Sequence, residues 1–400
     1  METLKFIDGD AHILEPEAIW EDYLEKKYQH LIKGHVRWIR GSSPGAAEPV
    51  PLEIGKEDSL SFELELEVMG QRPLGPRDPN AATRNFQDRD LDELDGAYGK
   101  WADQDFPASA YREVMDNCGV DHMILYPTVG FWTTGVAEMD GETAMAIRRA
   151  YNRWLGDFCR EIGRGACGAA SIDLRDPTAA AAEVRRCVKE YDFKAVHMNP
   201  APVPNLRLFD EECDILWDTC AELGVPIGLH PSANHPFDSG LLDYLPGLRN
   251  CRTSVSFVLG SMLACTGFIM GGVLERHPAL KLVFLESGCG WAAFWLDRLE
   301  AGIQGGTRGL KIQGLSQTPV EYFQRQCFVA ADQDDPGIES LISAIGDHVI
   351  VGATDFGHPE GRKYFKAKQD LIDLPRVSIE SKRKILWDNA IRAYSIDPDD

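Results

Sequence analysis

The sequence predicts an α/β protein whose repeated βα units close into a (β/α)8 TIM-like barrel. Three observations carry that expectation. Apolar, β-branched runs alternate with helix-like runs along most of the 400 residues. No Gly-x-Gly-x-x-Gly follows the first strand-like run, which weakens an open dinucleotide-binding sheet. Single residues with metal-ligating side chains recur near the ends of the strand-like runs, and those ends meet at the mouth of a barrel.

The first strand is FIDGDAH (6–12). Alternate residues of a strand share a face, so Asp10 and His12 point the same way. Residues 30–110 then break the rhythm with IRGSSPGAAEPVPLEIG, a period-2 run SFELELEV and the turn-rich QRPLGPRDPN. They read as an insertion after the first strand, a hairpin plus a lid over the mouth, within one domain spanning 1–400. Its Asp-rich stretch 85–99 lacks EF-hand spacing and is read as a solvated helix or loop.

From 120 onward the alternation is regular. Strand 121–128 precedes a helix over 142–162 with apolar spacing at Ala146, Ala150, Trp154 and Phe158. Strand 165–174 is followed by a helix over 176–191 that opens on Asp176-Pro177, a good N-terminal signal. Strand 193–199 leads into a helix 209–224 ending at Gly224, and strand 225–230 into an uncharged helix 254–274. Strand 280–287, helix 290–303, strand 326–332 and strand 347–355 complete eight strands. A closing helix packs Ile385, Leu386, Ala390 and Ile391.

Composition narrows the function. The formal charge of −22, from 41 basic and 63 acidic residues, repels phosphate backbones and argues against nucleic acid or anionic membranes. A metal could still invert the local field for an anionic substrate. The ten cysteines show no Cys-x-x-Cys pair and read as reduced, buried thiols. The uncharged stretch 253–274 is long enough to span a bilayer. Its Ser, Gly, Thr and Cys content and the Glu275-Arg276-His277 that follows fit a buried helix better. METLKFIDGDAH carries no apolar leader, so a cytoplasmic location is the default expectation.

The candidate site gathers Asp10 and His12 from strand one, His197 from strand four, His230 from strand five, Glu286 from strand six and Asp355 from strand eight. This nitrogen and oxygen mix suits Zn, Mn or Fe in the divalent state and is too nitrogen-rich for calcium or magnesium. His358 and His235, in the following loops, are candidate substrate contacts. The aromatics Phe131, Trp132 and Trp291 are candidate pocket walls that could equally be core. His277, at the opposite barrel end, reads as structural.

From Asp8 onward, and leaving out 30–110, the chain resembles the amidohydrolase superfamily. Within it the likeness is to the amidohydrolase-related branch that includes aminocarboxymuconate-semialdehyde and γ-resorcylate decarboxylases. The resemblance rests on Asp-x-His-x-x-Glu-Pro (Asp10, His12, Glu15, Pro16), GLHPS with His230, LERHPALKLVFLESGCGW around Glu286, and ATDFGHPEG with Asp355 and His358. It implies Asp10, His12, His230 and Asp355 as metal-ligand positions, and association into a dimer or with a related subunit. The branch's decarboxylases carry a catalytic His at the end of strand six, where this chain has Glu286. His197 and Glu286 would supply a second metal, so two metals are expected over one. Glu15 binds metal or caps the loop after strand one; the sequence leaves both open.

The leading expectation is hydrolysis of a small organic substrate: metal-bound water is acidified, and Asp355 acts as general base, with Glu286 as a further catalytic carboxylate. The nearest rival is non-oxidative decarboxylation of an aromatic or unsaturated acid, with Asp355 or Glu286 protonating carbon. A dinuclear iron or manganese oxygenase and a non-catalytic assembly subunit follow.

Overall fold

The computed structural model describes residues 4–40, 60–73, 100–128, 130–200, 203, 206–231, 249–304, 314–358 and 364–398. Ten strands are described: β1 (Ile7–His12), β2 (Ile32–Arg40), β3 (Leu60–Val68), β4 (His122–Tyr126), β5 (Ala166–Ser171), β6 (Ala195–Met198), β7 (Ile227–Leu229), β8 (Leu282–Phe284), β9 (Cys327–Asp332) and β10 (Ile350–Ala353). Eight of them pair in parallel in the order β1-β4-β5-β6-β7-β8-β9-β10. The ends of that row meet: Asp355 N donates to Asp10 O at 2.9 Å, and His12 N donates to Phe356 O at 2.8 Å. The eight predicted strands are these eight, joined into a barrel.

Small residues let large ones fill the interior. A Cβ on Gly228 would sit 2.7 Å from the Tyr126 ring, and one on Gly168 would sit 2.4 Å from Phe193. The inner core joins Ile7, Ile124, Tyr126, Val283 and Val351 to Ala390, Ala393, Tyr394 and Ile396 of the tail. Tyr394 OH donates to Gly9 O at 2.8 Å, and Asn389 Nδ2 donates to Ile350 O at 2.7 Å. The C-terminal segment is thus a plug for one end of the barrel, and the reacting groups collect at the other.

Helix boundaries follow their caps. Asp140 and Asp176 accept from Thr143 N and Ala179 N to open the helices Gly141–Ile162 and Pro177–Tyr191. Gly224, at φ 67°, ends Asp214–Leu223. The uncharged helix runs Arg249–Met270, shorter at its C-terminal end than the sequence suggests, because Gly271 and left-handed Gly272 stop it. By length and composition it could cross a membrane. In the structure Ala264, Cys265, Phe268 and Ile269 are buried in the core.

Several strands are shorter than their apolar runs. His230 lies one residue past β7, and Glu286 and Asp355 lie two past β8 and β10. The ladder stops where the chain turns to present these side chains. Between 30 and 110, β2 and β3 form an antiparallel hairpin whose buried positions Val36, Trp38, Leu66 and Val68 alternate, as a half-buried ribbon requires. Val36 N donates to Glu15 O at 2.9 Å and Trp38 Nε1 to Gly357 O at 3.1 Å, so the hairpin docks on the loops after β1 and β10. The predicted lid and the Asp-rich stretch fall on 41–59 and 74–99, outside the described residues.

Gly228→Ala should lower stability by about 1–3 kcal/mol, since its methyl would overlap the Tyr126 ring. Thermal or denaturant unfolding monitored by tyrosine and tryptophan fluorescence checks this.

Candidate active site

At the barrel mouth the side chains of Asp10, His12, His230, Glu286, Asp355 and His358 converge. The ligand atoms of Asp10, His12 and His230 lie within 4.8 Å of one another, as do those of His12, Glu286 and His358. His12 Nδ1 lies 2.9 Å from Pro127 O, and His230 Nδ1 lies 3.0 Å from Pro231 O. A carbonyl can only accept, so each Nδ1 carries a proton, and in the neutral ring each Nε2 presents a lone pair. Those two Nε2 atoms stand 3.1 Å apart. Around them His230 Nε2 lies 3.1 Å from Glu286 Oε2, and His12 Nε2 lies 3.6 Å from Asp10 Oδ1 and 3.5 Å from Asp355 Oδ1.

Every atom aimed at this point is an acceptor, and only a cation or a proton relieves their repulsion. Asp10 Oδ1 is buried and has no hydrogen-bond partner. Two imidazole nitrogens with carboxylate oxygens fit a divalent transition ion. With protein groups alone, burial pushes the Asp10 carboxyl well above its ordinary range, and the nearby Glu286 adds to the rise. Burial, then the His358 and His230 charges, holds His12 well below its ordinary value. For His230 burial pulls down, but the Glu286 hydrogen bond and charge outweigh it and the net shift is upward.

The neighbouring pair behaves differently. His358 stacks on the His12 ring, centroids 3.8 Å apart, with Nε2 2.9 Å from Thr128 Oγ1 and Nδ1 3.0 Å from Asp355 Oδ1. The single proton of Thr128 goes to Ile13 O at 2.8 Å. His358 Nε2 therefore donates to Thr128, and His358 Nδ1 is turned toward the Asp355 carboxylate. A proton on His358 Nδ1 would make this pair an imidazolium beside a carboxylate, a proton donor next to the cluster. The backbones of Glu286 (φ 44°) and Asp355 (φ 53°) are both left-handed, a strain that non-glycine residues carry mainly where side-chain direction matters.

A family model described as Amidohydrolase matches residues 7–396. The chain belongs to the amidohydrolase family. Among its relatives, 2-amino-3-carboxymuconate-6-semialdehyde decarboxylase of Dictyostelium discoideum is 22% identical over 327 residues, covering 75% of this chain and 86% of that protein. Gamma-resorcylate decarboxylase of a Polaromonas species is 25% identical over 298 residues, covering 71% and 86%. A solved amidohydrolase from Mycobacterium avium subsp. paratuberculosis superposes over 100% of both chains with TM-score 0.73 at 22% identity. A Polaromonas dihydroxybenzoic acid decarboxylase, solved with manganese and the inhibitor 2-nitroresorcinol, covers 77% of this chain and 90% of its own, with TM-score 0.60 and 22% identity. This amidohydrolase is accordingly an enzyme.

The remaining predicted residues are placed as follows. His197, inside β6, lies outside both ligand clusters, with its ring centroid 6.3 Å from that of His230. Its Nδ1 is 3.2 Å from Ser171 Oγ. Trp291 is buried, its ring 5.2 Å from Phe284 and 6.4 Å from Phe323. His235 lies outside the described residues, as do the side chains of Phe131 and Trp132. His277, far from the mouth, sits between Asp214 and Asp218 at 3.1 and 2.8 Å.

Sequence reasoning missed four participants in this family member. Thr128 orients His358, and Ser171 faces His197. Arg148 is buried within a helix read only for its apolar stripe. Asp8 accepts from Asp10 N at 3.2 Å, Thr354 N at 3.0 Å and the Thr354 hydroxyl, and burial pushes its carboxyl up to about 7. The Asp-x-Asp-x-His run was the available signal for Asp8. Glu15, left open by the sequence, caps the loop after β4 and not the one after strand one: its Oε1 accepts from Thr128 N at 2.9 Å and Gly130 N at 3.0 Å, because the two loops lie side by side at the mouth.

Glu15→Ala should strand both buried N–H groups at a cost of about 1–3 kcal/mol each. Denaturant midpoints for Glu15→Ala and the isosteric Glu15→Gln, which keeps an acceptor, test this.

Proposed function

We propose that this amidohydrolase is a metal-dependent, non-oxidative decarboxylase of an aromatic or unsaturated carboxylic acid. The observation that carries the reading is the placement of His358 Nδ1 3.0 Å from Asp355 Oδ1 beside the metal-binding cluster, where the pair can hold a proton for delivery. Decarboxylation breaks a C–C bond, releases CO2 and puts a proton on the carbon left behind. A site with a proton loaded beside the metal-binding cluster meets that demand. Hydrolysis needs a base there instead. The decarboxylases among the relatives, matched over 86% of their length, support the same reading.

Asp10, His12 and His230 would hold the cation, with zinc, manganese or iron the candidates; the manganese in the related Polaromonas decarboxylase favours manganese. When bound, a divalent ion supplies a positive anchor for substrate oxygens and stabilises the negative charge that develops as CO2 departs. The chain's own groups do the rest. Asp355, strained into its left-handed conformation, aims the proton that His358 shares with it. Thr128 holds the His358 ring against rotation, and stacking on His12 keeps it over the cluster. The proton passes to carbon, the C–C bond electrons remain on the ring or alkene, and solvent reprotonates the pair. Glu286, with 21% of its side chain exposed, steadies His230 and stands where the site opens to solvent.

One feature favours hydrolysis as a second reading: strand six ends in Glu286, a carboxylate suited to the work of a base, in place of the decarboxylases' histidine.

Two measurements decide. Metal-reconstituted protein incubated in D2O with a panel of hydroxybenzoates and unsaturated diacids should release CO2 and give product deuterated at the vacated carbon. Turnover of esters or amides with no CO2 release from any acid would overturn the proposal. Asp355→Asn, which cannot hold the shared proton, should lower kcat by about 100- to 10,000-fold.

Metal analysis of the purified protein should find a bound transition ion, lost in His12→Ala and in His230→Ala. Retention of metal in both variants would refute the assigned ligand set.

A further inference from the structure

Arg148 is wholly buried on the helix Gly141–Ile162, where a charge is costly unless it is held. Its Nη1 donates to Gly130 O and, at 3.1 Å, to Ser171 Oγ. Ser171 ends β5 with its backbone fixed on both sides: Asn152 Oδ1 accepts from Ser171 N at 2.8 Å, and Asn152 Nδ2 donates to Ser171 O at 3.0 Å. On the far side of the hydroxyl stands His197 Nδ1 at 3.2 Å.

The protons in this chain have one arrangement. A guanidinium has no acceptor, so Ser171 Oγ must accept from Arg148. The Ser171 hydroxyl proton then has a single acceptor among its contacts, His197 Nδ1. Accepting from a cation also makes the hydroxyl a better donor. Burial, with the Arg148 charge added, holds His197 well below its ordinary value, so the ring is neutral and its one proton lies on Nε2. His12 and His230 are the reverse, because carbonyls fix their protons on Nδ1.

We propose that Arg148 and Ser171 lock His197 as an Nε2–H donor, making it a substrate-orienting residue for an anionic oxygen and excluding it from the metal-ligand set. His197 sits inside the barrel on β6, its ring centroid 6.4 Å from Tyr126 and 6.3 Å from His230, so a donor there lies beside the cluster. Arg148 and Ser171 are positioning residues that act through it. The orienting role rests on the decarboxylase reading. The tautomer and the metal count do not.

The test begins with nitrogen-15 NMR of full-length protein labelled at histidine, without substrate, using His197→Gln to assign the His197 ring. The expected spectrum has a pyridine-like Nδ1 and a pyrrole-like Nε2. In Ser171→Ala the same signals should move towards a tautomeric mixture, which also assigns them should His197→Gln fold poorly. A pyridine-like Nε2 in the wild type would overturn the proposal. Metal analysis supplies the second arm: His197→Ala should keep the wild-type metal stoichiometry, and loss of one equivalent would overturn the proposal. With a turned-over acid in hand, His197→Ala should raise KM about 10- to 100-fold and His197→Gln, which restores an N–H donor, should recover much of it. If no acid turns over but the tautomer and metal results hold, the decarboxylase reading fails and the lock on His197 stands.

Discussion

The two backbone hydrogen bonds between β1 and the segment after β10 hold the mouth of this barrel together. Asp355 N donates to Asp10 O and His12 N donates to Phe356 O, joining residues about as far apart in sequence as the chain allows. Asp8 fastens the same seam from within through Thr354, and Tyr394 buttresses it at Gly9. Because the seam runs through Asp10, His12 and Asp355 themselves, barrel closure and assembly of the reacting groups are one event. The hairpin β2–β3 also leans on this seam, through Trp38 on Gly357.

Donor and acceptor counting separates the histidines at the mouth. Those whose Nδ1 faces a carbonyl, His12 and His230, present lone pairs and suit a cation. Where Nδ1 faces a hydroxyl already engaged by arginine, at His197, the ring presents a proton. His358 donates its Nε2 proton to a threonine that must accept and turns Nδ1 to a carboxylate. Four rings of one residue type thereby acquire three chemistries from neighbours rather than from their own identity.

The substitution at strand six shapes the functional reading. Glu286 faces His230 as an acceptor, while the proposed proton donor is the Asp355–His358 pair that follows strand eight. A shift of the acid from one barrel strand to another costs nothing in fold, since all eight strand ends open on one mouth. Membership of the amidohydrolase family is compatible with such a shift.

The sequence by itself determined the barrel, because the alternation of buried strands and capped helices is local chemistry: Asp176-Pro177 opens a helix and Gly224 closes one wherever they stand. It also named Asp10, His12, His230, Glu286, Asp355 and His358, since ligand-type side chains at strand ends are few. Strand lengths were less legible, as apolar runs such as 280–287 continue past the ladder into the turn that aims Glu286. Arg148 was invisible, for nothing local marks one charge in an amphipathic helix as buried. The protonation of each histidine was decided only in the tertiary structure, because a tautomer depends on which atom, carbonyl or hydroxyl, a distant segment brings against Nδ1.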